Sequence, residues 1–367
     1  MTDFVKDKAR PEIFTLKPYV PGKPIDEVKR ELGLKDVVKM ASNENPLGSS
    51  PQAIAAVRKS LELMYLYPDS HCYELKQRLA EITGVNENSI LIGNGSDEVL
   101  MLLATAFINR GDQIILAQPT FAEYEFTAKI MGGECIEVPL VEFTHDLEGA
   151  LAAITDKTKM VIICNPNNPT GTIVGAAAIA RFMERVPEDV LVVFDEAYSE
   201  YAESPDFVSG LQYVRAGRNA IVLHTFSKIY GLAALRVGYA LTLPEIAQAL
   251  EMIMEPFNVN LLGQIGARAA LDDLEHVERS RAVNSAGKKY LYGELENMGL
   301  FYVPTEANFI FLDTGRNSRE VFQAMLRLGV IIRTGDNFGH PTFIRVTVGK
   351  PAENERFIAS LRQVLAI

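Results

Sequence analysis

The chain has 367 residues, 48% of them hydrophobic and 23% charged, which predicts a globular protein with one large and one smaller domain. Its formal net charge of −11 argues against nucleic acid and against an anionic membrane surface as partners, because both attract basic proteins. Its three cysteines are odd in number and lack CxxC spacing, which argues against a disulfide framework and a zinc site, and no apolar run is long enough to span a bilayer.

The N-terminal segment, residues 1–39, is polar and punctuated by prolines, so we expect an arm that packs on another surface and includes a short helix over 25–32. The segment lacks the apolar stretch of a signal peptide, so we expect a cytoplasmic protein. Tyr19 lies in a turn-rich part of the arm, where a packing role and a ligand contact are both open.

A polar stretch, ASNENPLG at 41–48, follows the arm. Its asparagines, including Asn43, are typical of a turn but are also polar enough to line a site. Helices are predicted over 51–63 and 73–83. Tyr67 lies just before the turn between these helices, where its ring could reach a neighbouring subunit.

The segment SILIGNGSDEVL, residues 89–100, predicts a strand that runs through two glycines into a long apolar helix. A helix start presents N–H groups and a positive dipole potential, so Ser96 and Asp97 are candidates for binding a phosphate. A plain helix cap would explain the same residues, and the pattern differs from the GxGxxG of dinucleotide sites.

Short apolar runs alternate with helical segments, which predicts a mostly parallel sheet covered by helices on both faces. The predicted strands are 90–92, 114–117, 134–140, 160–164, 190–194 and 220–223. Asn168, Asp195 and Lys228 each follow one of them, so we expect these residues to meet at the carboxyl edge of the sheet, although Asp195 could simply cap a helix. Phe121 also follows a strand, where an aromatic ring packs in the core or faces a cofactor.

The segment AIVLHTFSKIYGLAALRVGY, residues 220–239, is the most informative. Burial of Lys228 beyond the strand would favour a neutral amine, which can form a Schiff base with a carbonyl. Thr225, Ser227 and Arg236 would supply hydroxyl and guanidinium donors for a phosphate. Taken alone, the stretch also fits a surface lysine in a loop, but the convergence of the strand ends favours a covalent cofactor site.

The C-terminal part predicts an α+β unit. A long helix is expected over 262–299, strands over 309–313 and 344–348, and helices over 319–329 and 352–365. Arg333 and Arg345 lie in strand-like patterns, which indicates a carboxylate or phosphate ligand or a structural ion pair. We expect a large domain over 46–254 and a smaller one built from 1–45 and 255–367.

The motifs NPNNPTG, DEAY and SKIYGLAALRVGY, in this order and spacing, resemble the aspartate-aminotransferase fold family of pyridoxal-phosphate enzymes. Together with ASNENPLG, YLYPDS, GNGSDE, PFNVNLL and IRVTVG, they resemble histidinol-phosphate aminotransferases over nearly the whole chain, from about Leu16 onward. The resemblance implies a large domain with a mostly parallel sheet between two helical layers, plus a smaller α+β domain.

The resemblance also implies roles around the cofactor ring. Lys228 would bear pyridoxal phosphate as a Schiff base and shuttle a proton, and Asp195 would pair with the pyridine nitrogen. Tyr198 and Asn168 would hydrogen-bond the ring hydroxyl. Phe121 stands where the family commonly has a tyrosine that stacks on the ring.

For the phosphates, the resemblance implies two groups of residues. The cofactor phosphate would be bound by Ser96, Asp97, Thr225, Ser227 and Arg236, and by Tyr67 of the partner in a homodimer with shared active sites. Arg345 would bind the α-carboxylate of glutamate, while Tyr19, Asn43 and Arg333 would hold the phosphate of histidinol phosphate.

The activity implied is transamination between histidinol phosphate and 2-oxoglutarate in histidine biosynthesis. An aromatic amino-acid aminotransferase and a threonine-phosphate decarboxylase are the enzymatic alternatives. A non-enzymatic regulatory domain would usually carry a DNA-binding extension, and none is seen in the sequence.

Overall fold

The computed structural model describes residues 2–16 and 22–367. Its helices are α1 (Asp3–Lys8), α2 (Ile25–Leu32), α3 (Pro51–Lys59), α4 (Tyr73–Thr83), α5 (Ser96–Phe107), α6 (Ala122–Ile130), α7 (Leu147–Ala152), α8 (Ala176–Arg185), α9 (Leu211–Arg215), α10 (Pro244–Glu251), α11 (Leu261–Ala270), α12 (Leu274–Asn297), α13 (Ser318–Arg327) and α14 (Pro351–Leu365).

The strands of the described residues are numbered in chain order as well. They are β1 (Val38–Lys39), β2 (Ile90–Gly93), β3 (Gln113–Gln118), β4 (Glu134–Pro139), β5 (Thr158–Cys164), β6 (Leu191–Asp195), β7 (Ala220–Thr225), β8 (Gly238–Thr242), β9 (Tyr302–Val303), β10 (Phe309–Asp313), β11 (Val330–Ile331), β12 (Arg333–Thr334) and β13 (Phe343–Thr347).

The large sheet has the spatial order β2-β8-β7-β6-β5-β3-β4. Its pairs are parallel except those of β8, which is antiparallel to both β2 and β7. Both faces are apolar, since Val192 and Phe194 of β6 join one core cluster while Leu191 and Val193 join another. The predicted mostly parallel sheet between two helical layers is thus confirmed, and its strand ends converge on one edge.

The smaller sheet has the order β12-β13-β10-β9 and lies against α12, α13 and α14, with which it shares a core. β1, from the N-terminal part of the chain, pairs in parallel with β11. Strand β1 precedes all strands of the large sheet in the chain, and β11 follows them all. Their pairing therefore connects the N-terminal and C-terminal parts of the chain. In the four-stranded smaller sheet, Arg333 of β12 lies directly opposite Arg345 of β13.

Three sequence expectations needed correction. The helix predicted over 262–299 is two helices, α11 and α12, because Asp273 ends the first run and accepts the N–H of His276 to cap the second. The helix predicted over 51–63 ends at Lys59, followed by a 3₁₀ turn at Leu61–Leu63. The arm is more regular than expected, since it contains α1.

Within the described residues, no helix is long and apolar enough to cross a bilayer, and no group of His, Cys, Asp and Glu side chains could hold a metal ion. The three cysteines are free thiols.

Candidate active site

The carboxyl ends of β5, β6 and β7 meet at a cavity of about 290 Å³, which is lined by Asn168, Asp195 and Lys228. The sheet register brings these residues together, because Cys164 at the end of β5 pairs with Asp195, and Asp195 pairs with Leu223 of β7. The structure thus gathers the three strand-end residues that the sequence predicted to meet.

Asp195 ends β6 with a buried carboxylate that is only 4% exposed. Its Oδ2 accepts a 2.6 Å hydrogen bond from Tyr124 Oη, and its Oδ1 accepts a 3.1 Å bond from the Ala197 N–H. Burial raises the pKa of Asp195 to about 6, whereas the two hydrogen bonds act to lower it. At neutral pH the carboxylate is therefore ionised and can pair with a protonated ring nitrogen.

Tyr124 is a site residue that the sequence reasoning missed. It lies on α6, buried to 1% exposure, and its ring makes an edge contact with Phe121 at a centroid distance of 5.6 Å. The available signal was spacing: Phe121 and Tyr124 are three positions apart at a helix start, so both face the same side. A tyrosine in an apolar run is more often core, which hid this role.

Tyr198 also lines the cavity and is buried. Its Oη accepts a 2.9 Å hydrogen bond from Asn43 Nδ2, and burial raises the pKa of its hydroxyl above the usual range. The hydroxyl therefore stays protonated over the working pH range and is available as a donor to a ligand oxygen.

Asn43 is held in the left-handed region, with φ of 57°, by bonds to the small sheet. Its N–H donates to Thr347 Oγ1 at 2.9 Å, and its carbonyl accepts from Asn308 Nδ2 at 3.0 Å. Thr347 was not predicted, although strand alternation places it on the same face of β13 as Arg345. Asn43 thus faces the cofactor cavity, and its predicted contact with a substrate phosphate stays a prediction.

Lys228 follows β7 and is half-buried at the centre of the cavity wall. Its Nζ donates to the Ser42 carbonyl at 3.4 Å and lies 5.5 Å from the centroid of the Tyr198 ring. The amine is therefore positioned between the Ser42 carbonyl and the Tyr198 ring.

The residues predicted to bind a phosphate also line this cavity, where Ser96 and Asp97 begin α5. Arg236 Nη2 bonds Asp97 Oδ2 at 3.0 Å, across the helix start. Gly95 has φ of 84°, and a Cβ there would lie 2.6 Å from Arg236 Nη2, so a side chain would close the space.

Thr225 and Ser227 complete this end of the cavity, and both are buried. Thr225 Oγ1 accepts the Ser227 N–H at 3.1 Å, which fixes the turn after β7. The helix N–H groups, two hydroxyls and a guanidinium form a donor set suited to a phosphate.

These groups fit pyridoxal phosphate, the cofactor that the sequence resemblance implies. A carboxylate at one end suits a protonated ring nitrogen, an amine suits the carbonyl carbon, and the donor-rich end suits the phosphate. Phe121, which lines the cavity, offers an apolar ring as a stacking surface.

A second cavity of about 410 Å³ adjoins the first and shares Phe121, Asn168 and Arg345 as walls. Arg333 lines the second cavity but not the first. Thr15 of the arm also lines the second cavity. Tyr19, the other predicted substrate residue of the arm, lies outside the described residues.

Arg345 forms the boundary between the two cavities and is only 6% exposed. Its Nη1 donates to Asn168 Oδ1 at 2.5 Å, and its Nη2 donates to the Ala41 carbonyl at 2.8 Å. The guanidinium also packs on the rings of Phe309 and Phe338, at 5.2 and 5.8 Å from their centroids. It is thus held at a fixed place and orientation.

Tyr67 lies apart from this arrangement. It is 81% exposed and stacks on Phe257 at a centroid distance of 4.7 Å, and within the described chain it lines neither cavity. Its predicted contact with the cofactor phosphate of a partner subunit stays a prediction.

The chain was compared with known proteins. The sequence model of the family described as aminotransferase class I and II matches residues 35–361. A Moorella thermoacetica protein named histidinol-phosphate aminotransferase is 58% identical over 98% of this chain and 93% of its own length. A protein of the same name from Caldicellulosiruptor saccharolyticus is 48% identical over 97% of this chain and 99% of its own.

Among solved structures, a histidinol-phosphate aminotransferase from Sinorhizobium meliloti in complex with pyridoxal-5′-phosphate superposes with a TM-score of 0.91. It is 28% identical in sequence, and the match covers 98% of both chains. This chain therefore shares both sequence and fold with these proteins along nearly its whole length.

Proposed function

Since the chain belongs to the aminotransferase class I and II family, we propose that it exchanges an amino group between histidinol phosphate and 2-oxoglutarate, with pyridoxal phosphate as its cofactor. The family and the pyridoxal-phosphate complex of the structural neighbour support the cofactor. The names of the close relatives support the substrate and a role in histidine biosynthesis.

The observation that carries the substrate assignment is the arginine pair on the small sheet. Arg333 lies opposite Arg345 in the antiparallel register, and both line the cavity beside the proposed cofactor site. Like charges on directly opposed strand positions repel, and a bound anion offsets that repulsion. A phosphate-bearing amine therefore suits this cavity better than an uncharged aromatic side chain.

The same pair explains how one site serves two substrates in turn. Transamination alternates histidinol phosphate with glutamate, so the site must accept a phosphate in one half-reaction and carboxylates in the other. Guanidinium groups bind both anions through paired N–H donors. Arg345, fixed by its bonds to Asn168 and Ala41, is the constant contact in this proposal.

The cofactor supplies an electron sink for charge that develops at the substrate carbon. Asp195 would keep a proton on the ring nitrogen, and Tyr198 with Asn168 would orient the ring hydroxyl. Lys228 would hold the cofactor's carbonyl carbon, and its Nζ would move a proton at the substrate carbon. The Ser42 carbonyl, 3.4 Å from Nζ, orients that amine.

The assignment is tested by comparing three amines on the cofactor-loaded protein. With 2-oxoglutarate as acceptor, we expect kcat/KM for histidinol phosphate to exceed that for phenylalanine by roughly a hundredfold or more, because phenylalanine leaves the arginine pair without a phosphate. Equal values would favour an aromatic aminotransferase. Release of carbon dioxide from threonine phosphate would favour the decarboxylase.

We also propose a cytoplasmic homodimer in which Tyr67 binds the cofactor phosphate of the neighbouring subunit. Tyr67 belongs to an exposed run of large apolar side chains that includes Met64, Tyr65 and Leu66, exposed by 64%, 81% and 49%. A contiguous apolar surface of this kind is typical of an interface. The domain limits, 46–254 against 1–45 with 255–367, and the contact of Tyr19 with substrate are retained as parts of this proposal.

A further inference from the structure

The buried contact between Tyr124 and Asp195 has no role in the activity proposed above. Tyr124 Oη donates to Asp195 Oδ2 at 2.6 Å, a short distance that is typical of a hydroxyl bonded to an ionised carboxylate. Asp195 Oδ1 is held by the Ala197 N–H at 3.1 Å. Among the described residues, Tyr124 is the side chain that hydrogen-bonds this carboxylate.

In this pair the proton stays on the Tyr124 hydroxyl. Burial raises the pKa of the Tyr124 hydroxyl well above its usual value, and the negative charge of Asp195 raises it further. The hydroxyl therefore remains a donor and the carboxylate remains the acceptor. A donor on a carboxylate stabilises its charged form and makes it a weaker base. Lys228 and Asp97 also act on Asp195, but through charge rather than through a hydrogen bond.

We propose that Tyr124 is a positioning residue that sets how the proton is shared between Asp195 and the ring nitrogen of the bound cofactor. The proposal rests on the proposed function, because it requires pyridoxal phosphate in the cavity. With its two oxygens fixed by a hydroxyl and a backbone N–H, the carboxylate presents one orientation to the cavity. Weakened as a base by Tyr124, Asp195 leaves the proton on the ring nitrogen, where the positive charge makes the ring an effective electron sink.

Removal of the Tyr124 hydroxyl should therefore shift the proton from the ring nitrogen toward Asp195. In Tyr124→Phe the carboxylate becomes a stronger base and draws the proton away from the ring nitrogen. The protonated ring is needed while charge develops on the substrate carbon, so kcat should fall by about tenfold, with KM within about twofold of the wild-type value.

The decisive measurement is the ¹⁵N resonance of ring-labelled pyridoxal phosphate bound to the protein without substrate. We expect the resonance in Tyr124→Phe to move toward the value of a deprotonated ring. Tyr213→Phe is the matched control, because Tyr213 stacks on Phe194 next to Asp195, at a centroid distance of 6.0 Å, from outside the cavity. An unchanged resonance in a Tyr124→Phe protein that retains the cofactor would overturn the proposal.

A second substitution covers the case in which Tyr124→Phe does not fold. Replacement of Tyr124 by 3-fluorotyrosine keeps the ring and makes the hydroxyl a stronger donor, so the ring nitrogen should keep its proton and the resonance should stay at the protonated value. A shift toward the value of a deprotonated ring would contradict the proposal.

The results of these experiments distinguish a failure of the Tyr124 proposal from a failure of the proposed function. A wild-type protein that fails to retain labelled cofactor would overturn the proposed function, and with it any role for Tyr124 toward the ring. A wild-type protein that retains cofactor but does not turn over histidinol phosphate would overturn the substrate alone. The comparison of resonances would then still decide the role of Tyr124.

Discussion

At the scale of single residues, Lys228 tests the cofactor assignment most directly. Its amine lines the cavity, while the acid and phosphate-binding ends are built from other residues. We expect Lys228→Ala to lower transamination by roughly 10²–10⁴-fold or more while the fold and the donor-rich end of the cavity persist. Turnover and circular dichroism, with the exposed Lys289→Ala as a control, would check this. Turnover retained in Lys228→Ala would exclude the covalent role.

Arg333 tests the substrate. Because it lines the second cavity and not the first, Arg333→Ala should reduce kcat/KM for histidinol phosphate by about 10–100-fold, the loss of one charged hydrogen bond, and reduce that for phenylalanine much less. Arg316→Ala is a control, since Arg316 bonds the Val364 carbonyl at 2.8 Å and lines neither cavity. Equal losses with both amines would place the phosphate contact elsewhere.

Residues at strand ends were predictable, whereas the residues that support them were not. Asn168, Asp195 and Lys228 follow apolar strands, and strand polarity alone brings them to one edge. Tyr124 and Thr347 act through hydrogen bonds that join distant parts of the chain, and a single sequence gives no distance between such parts. Their periodicity identifies the face on which they lie, but not the partner.

At the scale of elements, the contact between β6 and β7 includes an unusual buried pair just beyond Asp195. Glu196 Oε1 accepts the Gly210 N–H at 2.6 Å, and its Oε2 lies 3.7 Å from His224 Nε2. Burial raises the pKa of Glu196 to about 8 and lowers the pKa of His224 to about 4. Both side chains are therefore predominantly neutral at pH 7, a state that suits an apolar core.

This pair predicts a particular pH dependence of stability. The unfolded chain releases the Glu196 proton near pH 4.5, whereas the folded chain holds it until about pH 8. The folded state thus binds more protons in this window, and the contribution to the free energy of unfolding falls as pH rises, by at most about 1.4 kcal/mol per pH unit. In Glu196→Gln the contribution of Glu196 to this slope should disappear while that of Glu200 remains, as measured by urea unfolding between pH 5 and pH 8.

The control for that measurement is Glu200→Gln. Burial raises the pKa of Glu200 to about 7, so this residue titrates in the same window from a different place. Each substitution should remove its own part of the slope. A Glu196→Gln protein whose stability follows the wild-type pH curve would show that Glu196 is ionised in the folded state.

Elements were predicted best where a single local signal ends them. Gly84, with φ of 67°, ends α4 at the predicted residue. At the break between α11 and α12 the local signal is weaker, because Asp273 caps α12 but is also fixed by a tertiary contact, a 2.6 Å hydrogen bond from Ser50. Helical periodicity continues across the break, so the sequence suggested one helix where the structure has two.

At the scale of the whole molecule, a shared active site predicts complementation between subunits. Lys228→Ala and Tyr67→Ala proteins should each be poorly active alone. In a mixed dimer, the subunit with intact Lys228 receives intact Tyr67 from its neighbour, so exchange of subunits should restore roughly a quarter of the native sites. Activity that does not rise on mixing, although mixed dimers are detected by native mass spectrometry, would show that Tyr67 does not act across the interface.

The architecture of the large sheet was predictable because alternation of apolar runs and helices carries its topology. The antiparallel placement of β8 between β2 and β7 was not, since an apolar run does not indicate the direction of its strand. Similarly, the sequence placed residues 1–45 with the C-terminal part, but only the tertiary structure shows that β1 pairs with β11 in a separate two-stranded sheet.

Arg345 belongs to the walls of both cavities and holds Asn168 by a bond of 2.5 Å. An anion drawn to its guanidinium competes with Asn168 for the same donors, and Asn168 faces the cofactor cavity. With the proposed ligands, occupancy of one cavity would therefore change the free energy of binding in the other. Because thermodynamic linkage is reciprocal, the cofactor would in turn change the affinity for the substrate anion.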